Sequence, residues 1–313
     1  MRDVSAMDIR MHRGPDGDAL PIGRPLLRWH GGKWRLAPWI ISHFPTHRIY
    51  CEPFGGAASV LLRKPRCYAE VYNDLDADAD VVNLFRVLRS REATALRDAL
   101  RLTPFSRVEF NTAMSETSAD PVERARLLVV RSFMGFGSNG HNPDSSTGFR
   151  ATSNRSGSTP AHDWANHADC LDAIVARLRG VVIEQRDALD VMATNDGAET
   201  LHYVDPPYLP ETRSARARRR NGRIICYAHE LSADDHMRLL VGLRDLRGMV
   251  ALSGYPSALY DDALPDWRRV ERAARADGAA PRVEALWLNP QLSSALRRRA
   301  AGGDTAMFGW ALP

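Results

Sequence analysis

The sequence predicts an α/β fold, a mostly parallel sheet with helices on both faces, interrupted by a mainly helical insertion. Three observations predict it. Short apolar runs alternate with segments of helical spacing from Pro25 to about Arg89. A glycine pair follows the first run and an acid ends the second, the order found in nucleotide-binding units. The alternation stops between about Thr103 and Asp169 and returns at Gly180, which brackets the insertion.

Taken in order, residues 1–24 carry Gly, Pro and Asp without a period and are expected to form a tail. RIYCEP (48–53) predicts a strand entering a glycine turn, SVLLRK (59–64) a helix after it, and CYAEVYND (67–74) a second strand. Val81, Leu84, Phe85 and Leu88 then recur at helical spacing. VERARLLVVRSF (122–133) predicts a helix. The stretch from Gly135 to Thr159 is dense in Gly, Ser, Asn, Pro and Thr, and so long a loop inside a domain is usually functional or mobile. VVIEQRD (181–187) and TLHYV (200–204) predict strands. Ser232–Arg247 predicts a helix opened by a Ser232/Asp235 capping box, with Leu239, Leu240, Leu243 and Leu246 on its inner face. His229 and His236, which flank its start, are expected at the surface. MVALSGY (249–255) and RVEALWLN (282–289) complete the strands. The expected organisation is a catalytic domain over 25–89 and 170–313 with an insertion over 90–169.

Bulk properties exclude several classes. The chain is 44% hydrophobic and 26% charged, as globular proteins are, and contains no apolar run long enough for a bilayer. The N-terminus lacks an apolar signal segment. Four scattered cysteines form no CxxC pair, and Phe44-Pro45 breaks the helix that a His43/His47 metal pair needs, so no metal is expected. A cytoplasmic location is the expectation. The formal charge of +4 suits a polyanion partner. Only two lysines occur, Lys33 and Lys64, against an otherwise all-arginine background, which favours a specific use of Lys33.

The sharpest motif is Asp205-Pro206-Pro207-Tyr208, at the end of TLHYV. It suits methylation of an exocyclic amine, whose lone pair is delocalised into the base ring. An acceptor on each N–H draws the nitrogen toward a tetrahedral, nucleophilic geometry. The Asp205 carboxylate is one such acceptor. The Pro206 carbonyl is the other, on backbone stiffened by Pro206 and Pro207. Tyr208 offers a face on which a base stacks. With a sulfonium methyl donor, the protein supplies mainly positioning and electrostatics. The second motif is Glu52-Pro53-Phe54-Gly55-Gly56-Ala57-Ala58, in which Gly55 and Gly56 allow close backbone approach to the donor and Glu52 can take its ammonium group. Asp74 follows by roughly 20 residues, where an acid binds ribose hydroxyls. In Arg28-Trp29-His30-Gly31-Gly32-Lys33, Trp29 can lie against the donor and Lys33 can reach its carboxylate.

Together these motifs resemble the Dam-like, alpha-class family of DNA adenine-N6 methyltransferases, especially its phage and prophage members. RWHGGK, EPFGG, an insertion and DPPY occur in that family's order, and NDLDADADVVNLFRVLR, ALSGYPSALYD and ALWLNP also match. The resemblance covers about Pro25 to Pro290. It implies a Rossmann-like class I methyltransferase sheet with helices on both faces, the insertion being a target recognition domain with a loop or hairpin. It implies that Trp29, Lys33, Asp74 and Asp205 line an S-adenosylmethionine site. It implies that Asp205, Pro206 and Tyr208 hold a flipped adenine of double-stranded DNA, and that Asp187 in EQRDAL contacts the adenine of the cofactor. Phe54, Gly55 and Gly56 join the cofactor set through the motif they share. The chain departs from the pattern in two places. Ala57 and Ala58 stand where another glycine is usual, which sets methyl groups beside the expected cofactor pocket. Met134-Gly135-Phe136-Gly137-Ser138 lacks the arginine of GATC readers, so GATC is not assigned.

Arg213, Arg216, Arg218, Arg219, Arg220 and Arg223 crowd the segment after Tyr208 and suit phosphate neutralisation. In the 135–159 loop, Asn139, Asn142, Arg150, Asn154 and Arg155 have side chains fit for base edges, with Asn139 and Arg150 the leading candidates. Cytosine-N4 methylation needs the same chemistry, but serine is usual where this chain has Asp205. A nicotinamide enzyme needs GxGxxG, which is absent after Tyr50. An inactive DNA-binding relative is expected to have lost Asp205 or Tyr208.

Overall fold

The computed structural model describes residues 22–75, 80–137, 147–151, 159–209, 231–275 and 281–302. The strands are β1 (Ile49–Glu52), β2 (Ala69–Asn73), β3 (Val181–Glu184), β4 (Thr200–Val204), β5 (Met249–Gly254), β6 (Arg268–Arg275) and β7 (Pro281–Leu288). They form one sheet in the order β3-β2-β1-β4-β5-β7-β6, the Rossmann-like arrangement expected from the sequence. The first five are parallel, and β7 runs antiparallel to β5 and β6. The order reverses between β1 and β4: Ile49 pairs with Ala69 on one side and with Thr200 on the other. The carboxyl ends of β1 and β4 therefore emerge side by side, where open α/β sheets bind ligands.

Strand residues alternate between two apolar layers, as the period of two requires. Tyr50, Tyr72, Leu201, Tyr203, Met249 and Ala251 face one core; Cys51, Val71, Val204, Val250 and Leu252 face the other. Burial on both faces explains why TLHYV and MVALSG read as continuous apolar runs.

On the first face lie α1 (Ala37–Ser42) and α2 (Asp80–Leu88), whose Val81, Leu84, Phe85 and Leu88 are buried. Between β2 and β3, the described residues beyond α2 form α3 (Ala93–Leu102), α4 (Arg107–Ser115), α5 (Pro121–Met134), α6 (Pro160–Ala165) and α7 (Leu171–Arg177), plus a short 3-10 turn. Asp120 caps α5 by accepting from the Val122 N–H, with Pro121 at the first helical position. Leu96, Leu100, Phe110 and Leu128 of these helices share one continuous core with Tyr72 and Phe85. The second face carries α8 (Ala188–Asn195), α9 (Ala233–Arg244) and α10 (Ala258–Ala263), and α11 (Pro290–Ala300) follows β7. The Ser232/Asp235 capping box opens α9 as expected, and Leu239, Leu240, Leu243 and Leu246 are buried. No helix among the described residues is long and apolar enough to cross a membrane.

Three expectations change. SVLLRK is not a regular helix but a run of tight turns. Ala58 adopts φ +52°, and the Leu61 N–H donates to the Glu52 carboxylate (3.0 Å) instead of continuing a helical ladder. His236 is fully buried, its ring bonded to the Tyr260 hydroxyl at 2.8 Å, because α10 packs over the start of α9; His229 lies outside the described residues. The strand β6 was invisible to the pattern because it is an edge strand, RRVERAAR, whose Arg268, Arg269, Glu271 and Arg272 are exposed.

Candidate active site

At the end of β1 the chain turns through Gly55 and Gly56, held by the ends of β2. The Gly55 N–H donates to the Asn73 carbonyl (2.8 Å) and the Gly56 N–H to Asp74 Oδ2 (2.6 Å). The Tyr72 hydroxyl donates to the Gly56 carbonyl (2.7 Å). A Cβ on Gly55 would overlap the Tyr72 ring, and one on Gly56 would stand 2.7 Å from the Trp29 indole nitrogen. Tyr72 cannot yield, since its ring packs on Phe85 with centroids 4.3 Å apart. Glycine is thus required first by these two aromatic rings, a nearer cause than ligand approach. Gly56 also has φ +47°. Ala57 and Ala58 are buried in the hydrophobic core, so their methyl groups pack there rather than beside an open pocket.

Glu52 is buried, and its Oε2 accepts from the Tyr50 hydroxyl (2.8 Å) as well as from Leu61. Burial pushes its carboxyl up to about 8 against the Tyr50 hydrogen bond, and the nearby Asp205 charge adds to the rise. It braces the turn from inside. Phe54 packs, half-buried, against the second core. Asn73, unmarked in the sequence, joins the ends of three elements: its amide donates to the Pro53 and Arg186 carbonyls and its oxygen accepts from the Arg186 N–H.

At the end of β4, the Lys33 ammonium lies 2.9 Å from Asp205 Oδ2, donates to the Gly31 carbonyl (2.6 Å), and sits 4.6 Å from the centre of the Tyr208 ring. Lys33 is only 5% exposed, so this ammonium is placed rather than solvated. The first and last of the sequence motifs, 172 positions apart, meet in this ion pair. Asp205 Oδ1 is buried and accepts no hydrogen bond from any described residue. The Tyr208 hydroxyl pairs with Ser253 Oγ (3.0 Å) and donates to Glu284 Oε2 (2.8 Å). Burial, then the Asp205 and Glu284 charges, raise the Tyr208 phenol well above its usual range, so it stays a neutral donor. Burial also raises Glu284, with Lys33 opposing the rise. Glu284 and Ser253 escaped the sequence reading; the one trace was a lone acid inside the apolar strand RVEALWLN.

Asp187 caps α8, accepting from Leu189 N (2.9 Å) and Asp190 N (3.4 Å), and pairs with Arg238 at 2.6 Å. Its carboxylate already has these local partners. Arg150 stands at the base of a hairpin stem, where Gly135 bridges Phe149 and the Phe136 N–H donates to the Gly148 carbonyl (2.8 Å). Its guanidinium is 3.7 Å from Asp163, and burial together with the Arg28 charge lowers it to about 10. Phe136, next in the stem, is 69% exposed. Ser132 on α5 bonds both the Arg28 N–H (2.7 Å) and the Arg28 carbonyl (3.0 Å), tying the RWHGGK segment to the helix that leads into the hairpin. Arg213, Arg216, Arg218, Arg219, Arg220, Arg223, Asn139, Asn142, Asn154 and Arg155 lie outside the described residues.

The chain is similar to proteins named DNA adenine methylase. It is 33% identical over 116 residues to that of Serratia marcescens, which covers 34% of this chain and 40% of the relative. The Haemophilus influenzae protein is 30% identical over 125 residues and the Escherichia coli K12 protein 30% over 123, each match covering 36% of this chain and 41% of the relative. The matched stretches thus span about two fifths of those relatives' own lengths. Residues 29–241, which run from Trp29 past Tyr208, match a single family throughout. The chain that joins Lys33 to Asp205 at the switch point of this sheet belongs to the D12 class N6 adenine-specific DNA methyltransferases.

Proposed function

We propose that this protein transfers a methyl group from S-adenosylmethionine to the N6 amine of an adenine turned out of double-stranded DNA. The observation that carries the reading is the buried, unbonded Oδ1 of Asp205 at the β1/β4 switch point. A buried acceptor without a donor is costly unless a ligand supplies one. An amine N–H does so. The residues present also fit the methyl donor: Glu52, at the start of the glycine turn, has a carboxyl that burial pushes up to about 8, and a neighbouring cation favours its charged form. Trp29, Asp74 and the glycine turn form the adjoining wall, with Lys33 and Phe54 beside it.

When bound, S-adenosylmethionine supplies a methyl group already activated on sulfur. The chain does the rest. Lys33 holds one oxygen of Asp205, which fixes the carboxylate and leaves Oδ1 for one N–H of the amine. The Pro206 carbonyl takes the other, and Asp205 can hold the proton that the amine releases. Tyr208 provides the stacking surface for the base. Residues 90–169 serve as the target recognition domain, with the 135–159 segment reading bases and Arg150 and Asn139 among its contacts. The arginines between 213 and 220 neutralise phosphates. The enzyme works in the cytoplasm, where its DNA is.

Expression in a host without adenine methylation should produce N6-methyladenine in the host DNA at a defined sequence. S-adenosylmethionine should also raise the melting temperature, and NAD should not. Unmodified DNA together with no thermal response to S-adenosylmethionine would overturn the proposal. Replacing Arg218, Arg219 and Arg220 with Ala should weaken DNA binding and reduce the magnitude of its log–log salt slope by about 2.7. An unchanged slope would remove that segment from the DNA contact.

A further inference from the structure

We infer that Glu284, with Ser253, is the positioning residue that fixes the Tyr208 ring for the extruded base; this rests on the methyl-transfer reading above. Tyr208 follows β4, yet its hydroxyl is tied across two further strands. It meets Ser253 Oγ on β5 at 3.0 Å and Glu284 Oε2 on β7 at 2.8 Å. The strands β5 and β7 are themselves locked in register, Ser253 opposite Leu286 and Gly254 opposite Ala285. The ring is further confined by Tyr255, edge-on with centroids 4.7 Å apart, and by the Lys33 ammonium at 4.6 Å. A tyrosine held only by packing could rotate about its first side-chain torsion. One anchored at its far end cannot.

Packing alone does not explain an acid at position 284. The residue is 8% exposed and is followed by Ala285, Leu286, Trp287 and Leu288, all buried. A leucine would fill such a site without the desolvation that a carboxylate suffers. The groups around Glu284 are Lys33, Asp205, Tyr203, Tyr208, Ser253 and Tyr255, with Arg282 over the Tyr255 ring. Of these, Tyr208 is the one that donates a hydrogen bond to Glu284 among the described residues. The acid gives the hydroxyl of that ring an acceptor in a fixed place.

The test compares Glu284→Leu, Glu284→Gln and Tyr208→Phe in the full-length enzyme. Methyl transfer to unmethylated plasmid is measured alongside S-adenosylmethionine affinity by calorimetry. Glu284→Gln keeps an acceptor and should retain kcat within about threefold, whereas Glu284→Leu should lose about 100-fold, as misplacement by an ångström does. Cofactor affinity should be unchanged in both. Tyr208→Phe keeps the ring and removes the tether, so it should lose as much as Glu284→Leu. The double variant should be no worse than either single one, because the two changes break one interaction. A Glu284→Leu enzyme within threefold of wild type overturns the inference, and so does a Glu284→Gln enzyme as poor as Glu284→Leu. If Glu284→Leu fails to fold, wild-type kcat in folded Tyr208→Phe overturns it equally. A wild-type enzyme that methylates no adenine would instead sink the functional proposal.

Discussion

Asp205→Ala should lower methyl transfer by about 1,000-fold or more while leaving a measurable affinity for S-adenosylmethionine, the scale expected when an oriented acceptor of a reacting proton is lost. Two effects combine. The amine loses the acceptor at Oδ1, so its lone pair stays delocalised in the ring. The Lys33 ammonium, 5% exposed and 2.9 Å from Asp205, loses this ion pair. Removing one partner of a buried ion pair is costly to the other. Asp205→Asn separates the two effects: it preserves shape and one acceptor oxygen but not the charge that holds Lys33. It should fall between wild type and Asp205→Ala. The measurement is transfer of a labelled methyl group to plasmid, with cofactor binding followed by calorimetry. Turnover like wild type in Asp205→Ala would end the mechanism.

Glu70→Gln should destabilise the fold by about 3–5 kcal/mol, the cost of removing one partner from a buried ion pair. Glu70 on β2 lies between two buried cations. Lys64 meets Oε1 at 2.6 Å, and Arg177 from the end of α7 bonds both oxygens at 2.6 and 2.8 Å. Arg177 also donates to the Leu61 carbonyl at 2.6 Å, so the triad fastens α7 to the segment that follows the glycine turn. Burial alone would raise the Glu70 carboxyl, but Lys64 and then Arg177 outweigh it and hold the group below its ordinary 4.5. The unfolded chain therefore binds this proton more readily than the fold does. The contribution of the carboxylate is complete above about pH 4.5 and is lost as the pH falls through the lowered value. Wild type should lose melting temperature steeply below that pH, and Glu70→Gln should start lower and fall less. Equal melting temperatures at pH 7 would show that the triad holds nothing together.

Much of the fold was legible because its physics is local. Strand runs such as TLHYV and MVALSG, the Val81–Leu88 face and the Ser232/Asp235 cap all act within one element, so pattern and structure agree. The failures were contacts from outside the element. SVLLRK has helical composition, but the Glu52 carboxylate captures the Leu61 N–H and Ala58 turns left-handed. His236 sits at a helix start, normally a wet place, but Tyr260 from another helix covers it. The edge strand β6 pairs through its backbone and exposes Arg268, Arg269, Glu271 and Arg272, so its residues carry no apolar period.

By itself the sequence determined the α/β class and the order of the motifs, and it marked Asp205-Pro206-Pro207-Tyr208 as the candidate site, since each depends on residue type and short spacing. Its scarcity of lysine also marked Lys33, and the structure finds both lysines buried against carboxylates. Only the tertiary structure decided which groups meet: Lys33 with Asp205, Tyr208 with Ser253 and Glu284, Gly55 with Tyr72. The last two of those meetings follow from the sheet order, which sets β1 beside β2 and β5 between β4 and β7. Residues far apart along the chain become neighbours through sheet order, and no pattern within a single element records that order.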